Sequence, residues 1–277
     1  WLFAAFVVTL PSTNSLFKYP IMIDFSKLAE QYKHELLEQV IPFWMNHSID
    51  TQFGGFLHCL ERDGSVFDTD KFVWMQGREV WMLSKLYNTV QEPTVSAETR
   101  QQWLDAAIQG AEFLKKHAHD GQLNFYFSLD REGRPLVEPY NIFSYTFATM
   151  AFGQLSIATA NQEYADIAKK TFDIILSKQE NPKGKWSKAH PGTRSLKNFA
   201  LPMILCNLAL EIEPLLEPSF IEKAMEACIH EVMEVFLRPE LGGIVVENVN
   251  TDGSLSDTFE GRHLNPGHAI EAMWFIM

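Results

Sequence analysis

Two histidines, two glutamates, an arginine and an Asn-Pro-Gly turn stand together in "EGRHLNPGHAIEAMW", residues 260–274. Asn265 is a good helix N-cap and Pro266 fits the first helical position, so His268 falls in a first helical turn. The positive end of a helix dipole disfavours imidazolium, and a neutral imidazole is what a general base requires. Glu271, three residues on, shares that face and is placed to orient the ring or hold a substrate hydroxyl. A hydrogen-bonded core histidine beside a first-turn glutamate would show the same spacing, and spacing alone favours that plainer account. His263, His268 and Glu271 lack a further compact ligand group, so no metal site is expected.

A second cluster is "KFVWMQGREVWMLSKLY", residues 71–87. Trp74, Arg78 and Trp81 share one helical face, while Met75, Met82, Leu83 and Leu86 form an opposite, core-directed stripe. An arginine between tryptophans suits a polyhydroxylated ligand, because indole covers a sugar's apolar face and guanidinium donates several hydrogen bonds. Equally, the tryptophans could fill an interior and Arg78 could pair with a buried carboxylate. A third stretch, "SKQENPKGKWSKAHPGTRSLKN", is locally basic but lacks P-loop spacing, which leaves a solvated loop or a flexible phosphate-binding loop.

The elements that must carry these residues are helical. Apolar positions Leu28, Tyr32, Leu36, Leu37, Val40 and Ile41 recur at three-four spacing, and like patterns cover 72–90, 99–117, 143–160, 162–178, 197–212, 219–236 and 267 onward. Between helix pairs lie "DTQFGGFLHCLERDGSVFDTD", "HDGQLNFYFSLDREGRPLVEP" and "RPELGGIVVENVNTDGSLSD", each with glycine turns beside β-type residues, as small hairpins require. Helix pairs that cannot bury a face alone stack into a ring or solenoid, so the expected architecture is an all-α toroid of helical hairpins. Its elaborated loops would share one rim, and the site would lie there.

Composition limits the partners. A chain of 277 residues with 46% hydrophobic content can bury a large core as one domain, and a net charge of -12 argues against nucleic acid or an anionic membrane. Cys59, Cys206 and Cys228 are far apart and read as buried thiols of a reducing compartment. Cytoplasmic residence is expected, which would leave the sequon Asn46-His47-Ser48 unused. Regular helical patterning starts after Met22; residues 1–21 are read as a leader or mistranslated segment, with a signal or anchor remnant as the alternative, and 22–277 as the domain. The final "HAIEAMWFIM" has no Gly, Asn or basic C-cap, so the chain is read as a fragment.

"FGGFLHCLERDG", "WMQGREVWMLSKLY", "FSLDREGRPL", "PGTRSLKNFALPMILCNLALEIE" and above all "EGRHLNPGHAIEAMWF" resemble the N-acylglucosamine 2-epimerase family, also called the renin-binding protein family, from about residue 23 onward. The resemblance implies an (α/α)6 barrel of six hairpins, about four of them represented here, with substrate in the central cleft. It also implies a reaction: the sugar opens, one histidine removes the C2 proton beside the C1 carbonyl, and a second returns a proton to the opposite face. N-acetylglucosamine and N-acetylmannosamine thereby interconvert. By its N-P-G-H motif His268 matches one base, Arg78 an active-site arginine able to stabilise the oxyanion at O1, and Glu271 a substrate-proximal carboxylate. Trp74, Arg262 and Asn265 are expected to contact the sugar, and the second histidine to lie on helices beyond this sequence. No cofactor is required for such chemistry, but ATP as an allosteric activator would fall on Lys183 and Lys185, and a homodimer is implied. Cellobiose 2-epimerase and mannose isomerase types remain open, although "KNFALPM" replaces their histidine-containing motif; so does a non-catalytic sugar- or protein-binding barrel.

Overall fold

A computed structural model describes residues 24–139, 141–178, 190, 193 and 195–277. The chain divides into two compact units, Trp1–Phe43 and Trp44–Met277. In the first, Asp24 caps helix α1 (Phe25–Glu35) by accepting the Lys27 N–H at 3.0 Å, and the helix passes through a π-helical turn, Leu36–Val40, into α2 (Ile41–His47). Tyr32, Leu36 and Val40 of the predicted stripe are exposed, Leu28 and Leu37 half-buried, and Ile41 buried. A π turn inserts an extra residue, so three-four spacing across it no longer marks one face.

The second unit holds α3 (Val73–Thr89), α4 (Ala97–His117), α5 (Phe143–Thr159), α6 (Gln162–Ser177), α7 (Ala200–Glu211), α8 (Pro218–His230) and α9 (Pro266–Ile276). Helices α3/α4, α5/α6 and α7/α8 are hairpins, and α3 also packs on α5, α5 on α7 and α7 on α9. The odd-numbered helices therefore form one row, backed by α4, α6 and α8. Sequence explains the layering: α5 carries no charged residue and is buried from Ser144 through Ser156, whereas α6 buries Tyr164, Ala165, Ala168 and Phe172 and exposes Glu163, Asp166, Lys169 and Lys170. At the α3–α5 crossing a Cβ on Gly77 would stand 2.8 Å from the carbonyl carbon and oxygen of Phe147, so this approach requires glycine.

Among the described residues, the loops entering α3 and α5 meet through one strand pairing, and those entering α7 and α9 through another. Strands β1 (Cys59–Leu60) and β2 (Val66–Asp68) form one hairpin, and β3 (Lys71–Phe72) leads into α3. Strand β4 (Ser128–Leu129) pairs antiparallel with both β3 and β5 (Pro135–Val137). Likewise β6 (Leu196–Asn198), leading into α7, pairs with β9 (Asn248–Asn250), while β7 (Leu237–Arg238) pairs with β8 (Ile244–Val245). Three turns share one bonding pattern: "ERDGS", "DREGR" and "NTDGS" each close with the glycine N–H donating to the first residue's carbonyl, Gly64 to Glu61, Gly133 to Asp130 and Gly253 to Asn250. All three glycines have positive φ, the left-handed position a three-residue hairpin loop needs.

A buried polar cluster ties the first two loops. Lys71 Nζ donates to Asp50 Oδ2 at 2.9 Å and to the carbonyls of Gly54 and Arg131, while the Arg131 guanidinium grips Asp50 at 3.0 and 3.1 Å. Burial alone would raise the Asp50 pKa, but the bonds from Arg131 and Lys71 outweigh it and hold the carboxyl well below the usual range.

The eight helical segments expected from periodicity are present, with three departures. Residues 197–199 precede α7 because Leu196–Asn198 is drawn into pairing with β9, and α8 ends in a π-helical turn, Glu231–Phe236. The buried stripe of α3 is Val73, Gln76, Gly77, Glu79, Val80, Leu83, Ser84 and Leu86, with Met75 and Met82 only half-buried. Packing against both α4 and α5 selects small residues and polar ones that find partners, as Gln76 does on the backbone of Phe56. Among the thiols Cys206 and Cys228 are buried, whereas Cys59 is half-buried on β1.

Candidate functional site

Asn265 caps α9 as its sequence position predicts: Oδ1 accepts from the N–H groups of Gly267 at 3.1 Å and His268 at 3.4 Å. With Pro266 as first residue, this sets His268 in the opening turn, its side chain 37% exposed. Beneath it lies an apolar cluster of Phe199, Met203, Cys206, Val232, Phe236, Val246, Val249, Ala272 and Phe275, which fixes α9 against α7 and the β9 loop.

The ring's carboxylate partner is Glu247, not Glu271. His268 Nδ1 lies 3.0 and 3.1 Å from the two carboxylate oxygens of Glu247, whose side chain is 8% exposed between β8 and β9. Residues three apart share a helix face, but their side chains both project from it, and a partner facing the ring comes from another element. Glu247 leaves one local mark in the sequence, a single acid inside the apolar run "GGIVVENV". Nothing local ties it to a histidine 21 positions later.

Glu271 acts instead toward α3, where its charge supports the Arg78 cation. Burial pulls the Arg78 pKa down and Glu271 pushes it back up. The charges of Arg78 on α3 and Glu271 on α9 thus act on one another, and the candidate site is taken as the space around these two groups and His268. The Arg78 guanidinium lies 4.5 Å from the Phe147 ring centroid and 5.3 Å from that of Trp74, and these rings stand 6.0 Å apart. The Arg78 guanidinium thus lies against two aromatic rings while its charge is acted on by Glu271. Trp81 is spent elsewhere: Nε1 donates to Glu211 of α7 at 2.9 Å, beside Lys85 at 3.1 Å.

The remaining expected contacts separate from this space. Arg262 pairs with Asp257, and both line a surface depression of about 390 Å³ with Thr258, Phe259, His263 and Leu264 that includes neither His268 nor Glu247. The Asn265 oxygen is committed to the cap, and Lys183 and Lys185 lie outside the described residues. Two further groups titrate far from their ordinary range, yet both are interior. Burial brings His58 down to about 4, and its Nε2 accepts the Phe72 N–H at 3.0 Å. Burial pushes Glu79 up to about 8, with the Ser48 hydroxyl donating to it from the end of α2. Each fastens a loop to α3. No group of three or more His, Cys, Asp or Glu converges as a metal shell among the described residues.

Against known proteins, residues 55–277 match the family model described as N-acylglucosamine 2-epimerase (GlcNAc 2-epimerase). The rat N-acylglucosamine 2-epimerase is 39% identical over 247 residues, and the Bos taurus one 37% identical over 246. Each alignment takes in 87% of this chain, which spans 57% of the length of either relative. Among solved structures, cellobiose 2-epimerase from Bacillus thermoamylovorans B4167 superposes with a TM-score of 0.74 at 18% identity, covering 91% of this chain and 66% of that one. At that identity the likeness establishes the fold, an all-α architecture of (α/α)6 barrel type.

Proposed function

The chain belongs to the N-acylglucosamine 2-epimerase family, and from that premise we propose that it serves the interconversion of N-acetylglucosamine and N-acetylmannosamine. The observation that carries this reading is His268 in the first turn of α9, its Nδ1 held by Glu247, on the same helix as the Glu271 charge that acts on Arg78 of α3. In the open-chain sugar the C2 hydrogen is acidified by the adjacent C1 carbonyl. His268 takes that proton through the ring nitrogen not facing Glu247, and the electron pair moves into the C1–C2 bond and onto O1. Arg78 neutralises the developing oxyanion, an electrostatic contribution worth roughly 10²- to 10³-fold in rate for a single donor. Trp74, half-buried beside Arg78, offers an aromatic face to the sugar's C–H groups. Glu271 is placed to accept a sugar hydroxyl as well. Returning the proton to the opposite face of C2 needs a second acid, which is not assigned among the described residues.

The test is exchange at C2. N-acetylmannosamine incubated with the protein in D2O is expected to lose its C2 proton signal by NMR, and the His268→Ala variant is expected to leave it intact. A folded protein that catalyses no exchange on either N-acetyl sugar rejects the reading, and exchange on cellobiose or mannose instead reassigns the substrate. ATP is proposed as an activator through Lys183 and Lys185 and not as a reactant. Arg262 and Asn265 are kept as sugar contacts only if substrate draws the 256–265 loop inward; unchanged KM in Arg262→Ala would remove that one. No described helix is long and apolar enough to cross a membrane. Cytoplasmic residence and a homodimer complete the proposal, and sedimentation giving a monomer would reject the latter.

A further inference from the structure

The three equivalent turns of the rim allow equivalent positions to be compared. Three residues before Glu61, Asp130 and Asn250, which open those turns, stand His58, Phe127 and Glu247. Two of these side chains are absorbed by the strand they adjoin. His58 accepts the Phe72 N–H through Nε2 and meets the Gln76 amide, while the Phe127 ring packs edge-on against Phe72 at 5.6 Å. Glu247 keeps the backbone half of the pattern, its carbonyl accepting the Phe199 N–H at 2.9 Å just as that of Phe127 accepts the Val73 N–H. Its side chain departs from it. Glu247 lies between the buried valines Val246 and Val249, and among the described residues its carboxylate bonds His268 alone.

A carboxylate buried in apolar surroundings is costly, and a repeat position that elsewhere accepts a phenylalanine does not call for one. What it accomplishes is orientation. A carboxylate only accepts, so Nδ1 must carry the hydrogen it receives, and the two nearly equal distances centre the carboxylate on that nitrogen. The lone pair is then fixed on Nε2. From these contacts we infer that Glu247 is the positioning residue of this site: it sets the tautomer and aim of His268 and stabilises the imidazolium that forms when Nε2 takes a proton. The inference rests on His268 acting as the base, and it adds a carboxylate that touches no substrate atom.

The experiment compares the full chain with Glu247→Gln and Glu247→Asp, each checked for folding by circular dichroism. Ring ¹⁵N NMR reads the tautomer of His268 directly, without substrate. In the parent protein the hydrogen is expected on Nδ1; in Glu247→Gln, where the amide can also donate to Nδ1, a mixture with Nε2–H is expected. C2 exchange is expected to fall roughly 10- to 100-fold in kcat with KM unchanged, and Glu247→Asp to recover part of the loss. A purely structural glutamate would change the melting temperature and leave the tautomer and the kcat of folded protein alone, and that result overturns the inference. If the tautomer depends on Glu247 as described while the parent protein exchanges no C2 hydrogen, the positioning role stands and the epimerase reading falls.

Discussion

Glu79 gives this fold a measurable pH dependence of unusual sign. Its carboxyl is 8% exposed on α3 and bonded by the Ser48 hydroxyl, and burial moves its pKa from 4.5 to about 8. A group whose folded pKa lies above its unfolded one favours the fold while protonated. The contribution is therefore complete below about pH 4.5, shrinks as pH rises, and is gone above about 8. At 1.36 kcal/mol per pH unit, an interval of 3.5 units corresponds to roughly 5 kcal/mol. Glu79→Gln keeps the shape and an acceptor for Ser48 but cannot ionise. Near pH 5 it is expected to match the parent protein within about 1 kcal/mol, the net worth of one altered hydrogen bond. By pH 9 it is expected to be the more stable by roughly 3–4 kcal/mol, since the parent alone must then bury a carboxylate. Urea unfolding followed by tryptophan fluorescence at pH 5, 7 and 9 measures the difference, in which titrations common to both proteins cancel. Parallel stability curves would show that Glu79 reaches water in the folded state, and the assignment of its burial would be wrong.

Asp50→Asn strips the carboxylate from Lys71, whose side chain is fully buried, and is expected to cost about 3–5 kcal/mol in urea unfolding at pH 7. In the parent protein the stabilisation from Asp50 is present above its ordinary pKa near 3.8 and is lost as pH falls further, so a variant penalty that persists undiminished into strong acid would contradict the pairing. Lys183→Ala with Lys185→Ala is expected to abolish stimulation of C2 exchange by ATP; unchanged stimulation rejects the nucleotide role of that loop.

Much of the local organisation is legible in the residues themselves. The three-four periodicity of the helices, the charge-free run of α5, the glycine turns "ERDGS", "DREGR" and "NTDGS", and the cap Asn265-Pro266 are all short-range features, dictated by backbone geometry and by which residues share a face. They place His268 in a first helical turn without reference to anything distant. The motifs around Arg78 and His268 likewise marked an arginine packed on aromatic rings and a histidine held by a carboxylate. Short-range rules fail where a residue's partner is remote. Glu271 has the right spacing for His268, yet the ring is held by Glu247 from a hairpin, and Glu271 serves Arg78 on α3. Trp81 shares a face with Trp74 but is drawn to Glu211 of α7, and the salt-bridge partner of Lys71 lies 21 positions earlier, at Asp50. Sequence by itself determined which segments become helices and, at the Asn265 cap, where one of them starts, because those depend on neighbours along the chain. The tertiary structure decided who pairs with whom across the rim, because a hydrogen bond is set by distance and direction in space, and those exist only once the hairpins are stacked.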